Sequence, residues 1–417
     1  MLLKRTIRCV SPFFIRNWKM KKRDTPRSEE CPRAGCPSAI LILLFSAAAC
    51  AEPFIPSNDS MVLERVPAAQ ETRQLQPLRD RLARDPGDLP SALQLAQGYL
   101  RIGRQTADPR FTSYAQATLN PWLQGKAPSA DVLVLSATAL QSSHRFAEAL
   151  QLLDRALAAD PRNGQAWLTK ATILQVQGKF SDARGACANV LRTADQTIAV
   201  SCIAGVNSLN GKLENSYRSL AQLNEAAGSP TGELRGWIQG QLGEMAVRLG
   251  DPRAAEAHLL AALQATPGDV YLKAAYADLL LAQRRNAAVL TLLADNEQQD
   301  VLLLRLAIAG TRLKQAKGKR WADTFEARFN AAQRSGDTSH LREYARFLLD
   351  VRGDAAKSLQ MAKLNWQVQR EPADVQVYIK AARATRAPGA DAEVIAWIRD
   401  TGFEDRTLPS VQTKAAM

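Results

Sequence analysis

The sequence predicts an all-α solenoid, a stack of antiparallel helix pairs preceded by an export segment. Three observations lead there. Residues 129–195 repeat themselves at a period of 34 residues with side-chain size kept in register, a length that suits one unit of two packed helices. Prolines recur near multiples of that period, Pro161, Pro267 and Pro372 lying 106 and 105 residues apart. Between residues 62 and 402 nothing alternates polar and apolar residues in the manner of a strand.

The first element in chain order is a basic leader. Residues 1–38 carry ten Lys or Arg against three acidic residues, and residues 39–49 carry no charge. That apolar run is too short for a spanning helix of about 20 residues. A basic region, a short apolar core and small residues instead compose an export signal. The leader is long, and Met20, followed by Lys21, Lys22 and Arg23, competes with Met1 as the start. Ala47-Ala48-Ala49-Cys50 resembles the lipobox of bacterial lipoproteins, in which the cysteine is acylated and becomes the new N-terminus; Ala47 departs from the leucine more usual there. Cys50 is therefore the candidate lipidation site. Cleavage before Glu52 with release of a soluble chain stays open, because Ala49-Cys50-Ala51 also presents small residues, and so does an uncleaved anchor. Residues 1–50 thus read as leader and signal, and residues 51–61 as a tether in which Pro53 and Pro56 forbid an early helix.

Roughly eight to nine helix pairs are expected over residues 62–405. Asp85-Pro86 and Ala107-Asp108-Pro109 punctuate an irregular first unit that runs to Pro128. In the clearest units Leu133 recurs as Trp167, Ala137 as Ala171, Leu140 as Leu174, Ala149 as Ala183 and Ala156 as Val190. The small residues let helix axes approach, and the large ones fill the space between. Residues 198–227 and 270–300 keep chiefly Gly205 and Ala277 at the small position, whereas Leu242, Gly243, Ala255, Leu259 and Ala262 restore the pattern. A four-residue surplus falls at 228–231. Trp321, Phe325 and Phe329 share one helix face and read as packing between helices. Each marker proline is expected to end the second helix of its unit, having no amide hydrogen to continue it. Residues 406–417 are expected to form a disordered tail.

Trp167, Ala171, Leu174, Gly178, Phe180 and Ala183 stand where the tetratricopeptide repeat motif wants them, and the pattern resembles that family. The resemblance implies a right-handed superhelix in which the first helix of each pair lines a concave groove for an extended peptide or a partner helix. Carried over position by position, it places Gln141, Gln165, Thr172, Gln175, Asn210, Trp237, Glu244, Arg248, Tyr271 and Asp278 on that groove. Trp237 and Tyr271, 34 apart, would either stack on a ligand side chain or sugar ring or pack between repeats. Glu244 and Arg248, four apart, are placed to pair. Members of the family that grip a C-terminal carboxylate use Lys and Asn at fixed groove positions; Leu168 and Thr172 stand there, so that clamp is not expected.

Composition narrows the function further. The formal charge is +13, but seven of those charges belong to the leader (10 − 3), and the remaining +6 is dispersed. A nucleic-acid surface would need aligned cations with stacking aromatics. Clusters such as Lys314, Lys317, Lys319 and Arg320 read instead as a solvated helix face. Cys9, Cys31 and Cys36 lie in the leader, which leaves Cys187 and Cys202 in the body. An oxidising compartment would permit a disulfide between them. Packed helix axes roughly 8 to 10 Å apart against a limit of about 7 Å for bridged α-carbons favour two buried thiols. The three histidines, His144, His258 and His340, fall in different repeats, with no catalytic, metal or phosphate-loop motif around them. No cofactor is expected.

The chain is therefore expected to be a non-catalytic scaffold of the bacterial cell envelope, periplasmic or anchored to the outer membrane through a lipid, holding an envelope protein in its groove. Binding of a cell-wall glycan is the competing expectation. An enzyme site built from dispersed residues is a third, which a pocket uniting histidines and carboxylates of several repeats would revive. A specific partner is expected near residues 228–231 and Trp237, where the repeat departs from its own rule.

Overall fold

The chain divides into two units, Met1–Val66 and Pro67–Met417. The computed structural model describes residues 70–225, 230–334 and 340–408, all in the second unit. Cys50, the tether and residues 228 and 229 lie outside the described residues.

Among the described residues two short helices, α1 (Gln70–Arg73) and α2 (Gln76–Arg84), precede nine helix pairs. The first four pairs are α3 and α4 (Leu89–Thr106, Pro109–Leu123), α5 and α6 (Ala130–Ser142, Phe146–Ala159), α7 and α8 (Gly164–Val176, Phe180–Thr193), and α9 and α10 (Gln196–Asn207, Leu213–Glu225). Next come α11 and α12 (Gly232–Leu249, Pro252–Ala265), α13 and α14 (Val270–Ala282, Asn286–Leu292), and α15 and α16 (Asp300–Arg312, Ala316–Arg334). The last are α17 and α18 (Leu341–Phe347, Ala355–Trp366) and α19 and α20 (Pro372–Thr385, Ala392–Thr401), with a π-helical turn at Leu348–Arg352 continuing α17. No strand occurs among the described residues, and the fold is the helical-repeat solenoid that the period predicts. None of the described helices is long and apolar enough to cross a membrane.

Local chemistry explains the joints. Side chains of Asp88, Asn163, Asp195, Asp251 and Asp269 accept from the first free amides of the helices they precede, which removes orphan donors at those ends. Inside every pair the turn carries a left-handed residue: Ala107, His144, Gly178, Gly211, Gly250, Arg284, Lys314, Gly353 and Arg386. The backbone thus keeps the repeat through α9 to α10 and α13 to α14, where the side-chain motif is weak. Only glycine adopts that conformation without steric cost. Arg284→Gly and Lys314→Gly, both at exposed positions, are expected to stabilise the protein by about 0.5–1 kcal/mol each, read as a higher denaturant midpoint.

Small residues set the closest approach. A Cβ on Gly318 would lie 2.4 Å from the Gly310 carbonyl carbon, so α15 and α16 cross backbone to backbone. The aromatic stripe packs as expected, with Trp321, Phe325 and Phe329 at 5%, 3% and 8% exposure. Pro372 departs from expectation. It does not end a helix but opens α19, six residues after α18 has stopped, a place where the missing amide hydrogen costs nothing. Residues 406–408, expected to belong to a disordered tail, are instead held to the body: Arg406 donates its backbone N–H to Arg248 O at 2.7 Å, and Leu408 packs on the core. Residues 409–417 lie outside the described residues.

Cys187 and Cys202 form a disulfide, contrary to the expectation of two free thiols, with α-carbons 5.7 Å apart. The expectation compared helix axes with α-carbons. Each α-carbon sits about 2.3 Å off its axis, so residues facing each other across a contact approach well inside the axial distance. Ala183, Ala186 and Ala199, all buried beside the bridge, keep α8 and α9 close.

One feature has no counterpart in the period. A repeat array ordinarily contacts only its neighbours, yet here one turn of the superhelix packs on the next. Asn210 donates to Thr401 O across 191 residues, Leu213 N–H to Glu404 at 3.4 Å, and Arg370 N–H to Val176 O at 2.7 Å. Phe180 meets Trp397 with ring centroids 5.9 Å apart. A single core joins residues of α7, α8 and α9 to residues of α17 through α20 and Phe403.

Candidate binding cavity

The first helices of the pairs, α3, α5, α7 and onward to α19, together line one continuous cavity of about 2190 Å³. Small-molecule sites usually occupy roughly 300–1,000 Å³, so this space suits a polymer segment. Nine of the ten predicted groove residues line it: Gln141, Gln165, Thr172, Gln175, Trp237, Glu244, Arg248, Tyr271 and Asp278. Asn210 does not. It sits in the α9–α10 joint, accepting from Arg184 and donating to Thr401 O, and belongs to the contact between turns.

Trp237 and Tyr271 are 37% and 55% exposed, facing the cavity rather than packed between repeats. Tyr271 donates its hydroxyl to Glu244. Surrounding protein, and then the Glu244 carboxylate, raise the phenol well above its usual pKa, while burial raises that of Glu244. Glu244 and Arg248 do not form the expected ion pair. Arg248 turns away, donating to Ser208 O at 2.6 Å and Ser208 Oγ at 2.8 Å, with Phe403 beneath its guanidinium. The reason is burial: Arg248 is 4% exposed, and burial lowers its pKa to about 10, so the group must find fixed acceptors within reach.

The wall formed by α13 to α19 is charged. Arg305 grips Asp278 with two bonds of 3.0 and 2.6 Å, and Arg346 adds a third at 2.7 Å. Burial alone would raise the Asp278 carboxyl, but the two guanidinium groups outweigh it and hold it at about 2. Glu343 is likewise held at about 2, Arg342 overcoming its burial. Asp374 goes the other way, burial pushing it up to about 7 despite Arg342. The depressed pair contributes stability that is present above the unfolded values of about 3.9 and 4.3 and lost as pH falls toward 2. The urea midpoint should therefore drop over that interval, and Asp278→Asn should remove part of the slope.

His144 and His340, expected to be unrelated, face this same cavity with Glu343 and Glu371 nearby. Burial lowers the His144 imidazole, which occupies the left-handed turn position held by Gly178 in the next pair. Carboxylates are thus brought beside histidines, but Glu371 and Glu343 are bound to Arg342, at 2.6 and 3.2 Å. His258 lies elsewhere, bridging Tyr217 and Gln239 at 3.0 and 2.7 Å between helices. Among the described residues no group of three or more His, Cys, Asp or Glu is placed to hold a metal. Of the charged residues that the sequence reading missed, Arg305 had a signal, standing one further period of 34 after Tyr271. Lys380 had one too, standing three periods of 34 after Asp278, whereas Arg342 lies on α17, which starts 41 rather than 34 residues after α15.

Comparison with known families agrees with this architecture. Residues 140–201 match the tetratricopeptide repeat. No curated protein matches the chain significantly. Among solved structures, the chain is similar to the APC/C hetero-tetramer Cut9-Hcn1, at 13% identity and TM-score 0.36 over 75% of this chain and 52% of that one. It thus spans about half the length of that relative. It is also similar to pilF of Pseudomonas aeruginosa, at 16% identity and TM-score 0.30 over 62% of this chain and 94% of that one. The P58(IPK) TPR domain gives 13% identity and TM-score 0.23 over 73% and 92% of the two chains. Tetratricopeptide repeats are generally non-catalytic scaffolds for protein interaction, and fold by itself fixes no more than that.

Proposed function

We propose that this protein is an exported, non-catalytic scaffold of the bacterial cell envelope that holds an extended peptide, or a helix, of a protein partner in its central cavity. The observation that carries the reading is the convergence of nine groove positions from α5 to α13 on one polymer-sized cavity with two exposed aromatic rings. Export is supported by the basic leader and apolar run and by the Cys187–Cys202 disulfide, a bond that persists in oxidising compartments. Attachment to the outer membrane through an acylated Cys50 would place the array at the envelope surface. Mass spectrometry of the mature N-terminus, with proteins co-purified from envelope extract, tests location and partner together. Trp237→Ala is expected to lose the partner by about tenfold, as for an aromatic anchor; recovery equal to wild type would remove the groove from the reading.

A glycan ligand is the second reading, favoured by the same exposed Trp237 and Tyr271, whose flat faces suit sugar rings as well as side chains. Saturable binding of soluble cell-wall fragments, abolished by Trp237→Ala, would replace the peptide by a glycan.

A further inference from the structure

The cavity wall is of two kinds. From α13 to α19 it carries Asp278, Arg305, Arg342, Glu343, Glu371 and Lys380. From α5 through α9 it carries no Asp, Glu, Lys or Arg, and apart from the His144 imidazole in the turn after α5 its polar side chains are chiefly carboxamides and hydroxyls, among them Gln141, Thr172, Gln175 and Ser201. Gly205 lies on α9, the last helix of this uncharged stretch. A Cβ built on it would come within 2.8 Å of the Gln241 carboxamide and 3.5 Å of that of Gln175, so the missing side chain keeps a floor open between amides from α7 and α11. Oriented so that both its ends are satisfied, Gln241 donates to Ser201 O and accepts from Trp237 Nε1, each at 3.2 Å. The amide is thereby fixed beside the exposed indole. Among the described residues the carboxamides of Gln141 and Gln175 have no protein partner.

We infer that the lane over Gly205, flanked by Gln175 and Gln241, binds the main chain of an extended peptide, while Trp237 seats one of its side chains. This rests on the peptide-holding reading and specifies its chemistry. A carboxamide offers a carbonyl acceptor and N–H donors, the same complement as a peptide group, so it pairs with a bound strand whatever the sequence. An uncharged wall also leaves no charge stranded when a neutral segment covers it. Successive concave helices, roughly 8 to 10 Å apart, are bridged by about three residues of extended chain, so each row of amides meets a fresh peptide group. The charged wall is already internally paired at Asp278, Glu343 and Glu371, which leaves the neutral lane as the surface that gains most from a ligand's hydrogen bonds.

The test measures binding of the full chain to a dye-labelled pool of uncharged, end-blocked random peptides of roughly twelve residues, and to the same pool N-methylated at alternate residues. The unmodified pool is expected to bind, with N-methylation weakening it about tenfold through lost main-chain hydrogen bonds. Affinity should hold within about twofold when salt rises past the screening range. Gly205→Leu should weaken binding about tenfold while the circular dichroism stays unchanged, since the first atoms a new side chain meets are the free ends of two glutamines. Should that variant fail to fold, the Gln175→Leu and Gln241→Leu double variant gives the same reading. Equal binding of methylated peptides, or wild-type binding by the folded variants, would overturn the lane while leaving the peptide-holding reading in place. No peptide binding at all overturns both, and saturable binding of neutral cell-wall fragments in its place, lost in Gly205→Leu, would assign the lane to sugars instead.

Discussion

Replacing Trp366 by alanine is expected to lower stability by about 3–5 kcal/mol and to loosen helices far from it in sequence. Trp366 is 1% exposed and meets Tyr378 and Trp397 edge to face, with centroids 5.6 and 5.1 Å apart and Arg370 over its ring. Alanine leaves a cavity that a close-packed core fills only partly. In an ordinary array the damage would stay within α18 to α20, because stability there sums over neighbours. Here Trp397 continues the aromatic contact to Phe180, and the core includes Ala183, Cys187 and Val190 of α8. Hydrogen exchange should therefore accelerate in α8 and α9 as well as in α18 to α20. Exchange raised only in the C-terminal helices would mean that the contact between turns contributes little.

Loss of the Cys187–Cys202 bridge is the second large effect. Closing a loop of 15 residues restricts the unfolded chain by about 3 kcal/mol, and the Cys187→Ala, Cys202→Ala double variant should lose about that much. Urea titration with and without reductant measures it, the variant being expected to show no response to reductant. Mass spectrometry of the unreduced digest should recover the two segments as one linked peptide pair. A linked pair with unchanged stability would place the strain of the bridge against its entropy; recovery of two free thiols would remove the bridge.

Helix pairing was legible in the sequence because period, small residues and turns are local properties. Leu133, Ala137 and their partners 34 residues on fix which faces pack, and the same register runs through Gln141, Gln165, Thr172, Gln175, Trp237, Glu244, Arg248, Tyr271 and Asp278, which line the cavity. The weak units were legible less well, since their repeat survives in backbone turns such as Gly211 and Arg284 rather than in side-chain size. Asn210 was misplaced because it falls after α9 has ended, in the joint that meets Thr401.

By itself the sequence determined an all-helical solenoid, its concave face and a basic leader with the pattern of an export signal, all of which follow from spacing along the chain. Only the tertiary structure decided the packing of one superhelical turn on the next, the disulfide, the escape of Arg248 from Glu244 and the gathering of His144, His340, Arg342 and Glu371 around one cavity. The physical reason is that superhelical pitch accumulates from small rotations at every joint. Residues some 191 positions apart meet only once those rotations have been summed in three dimensions.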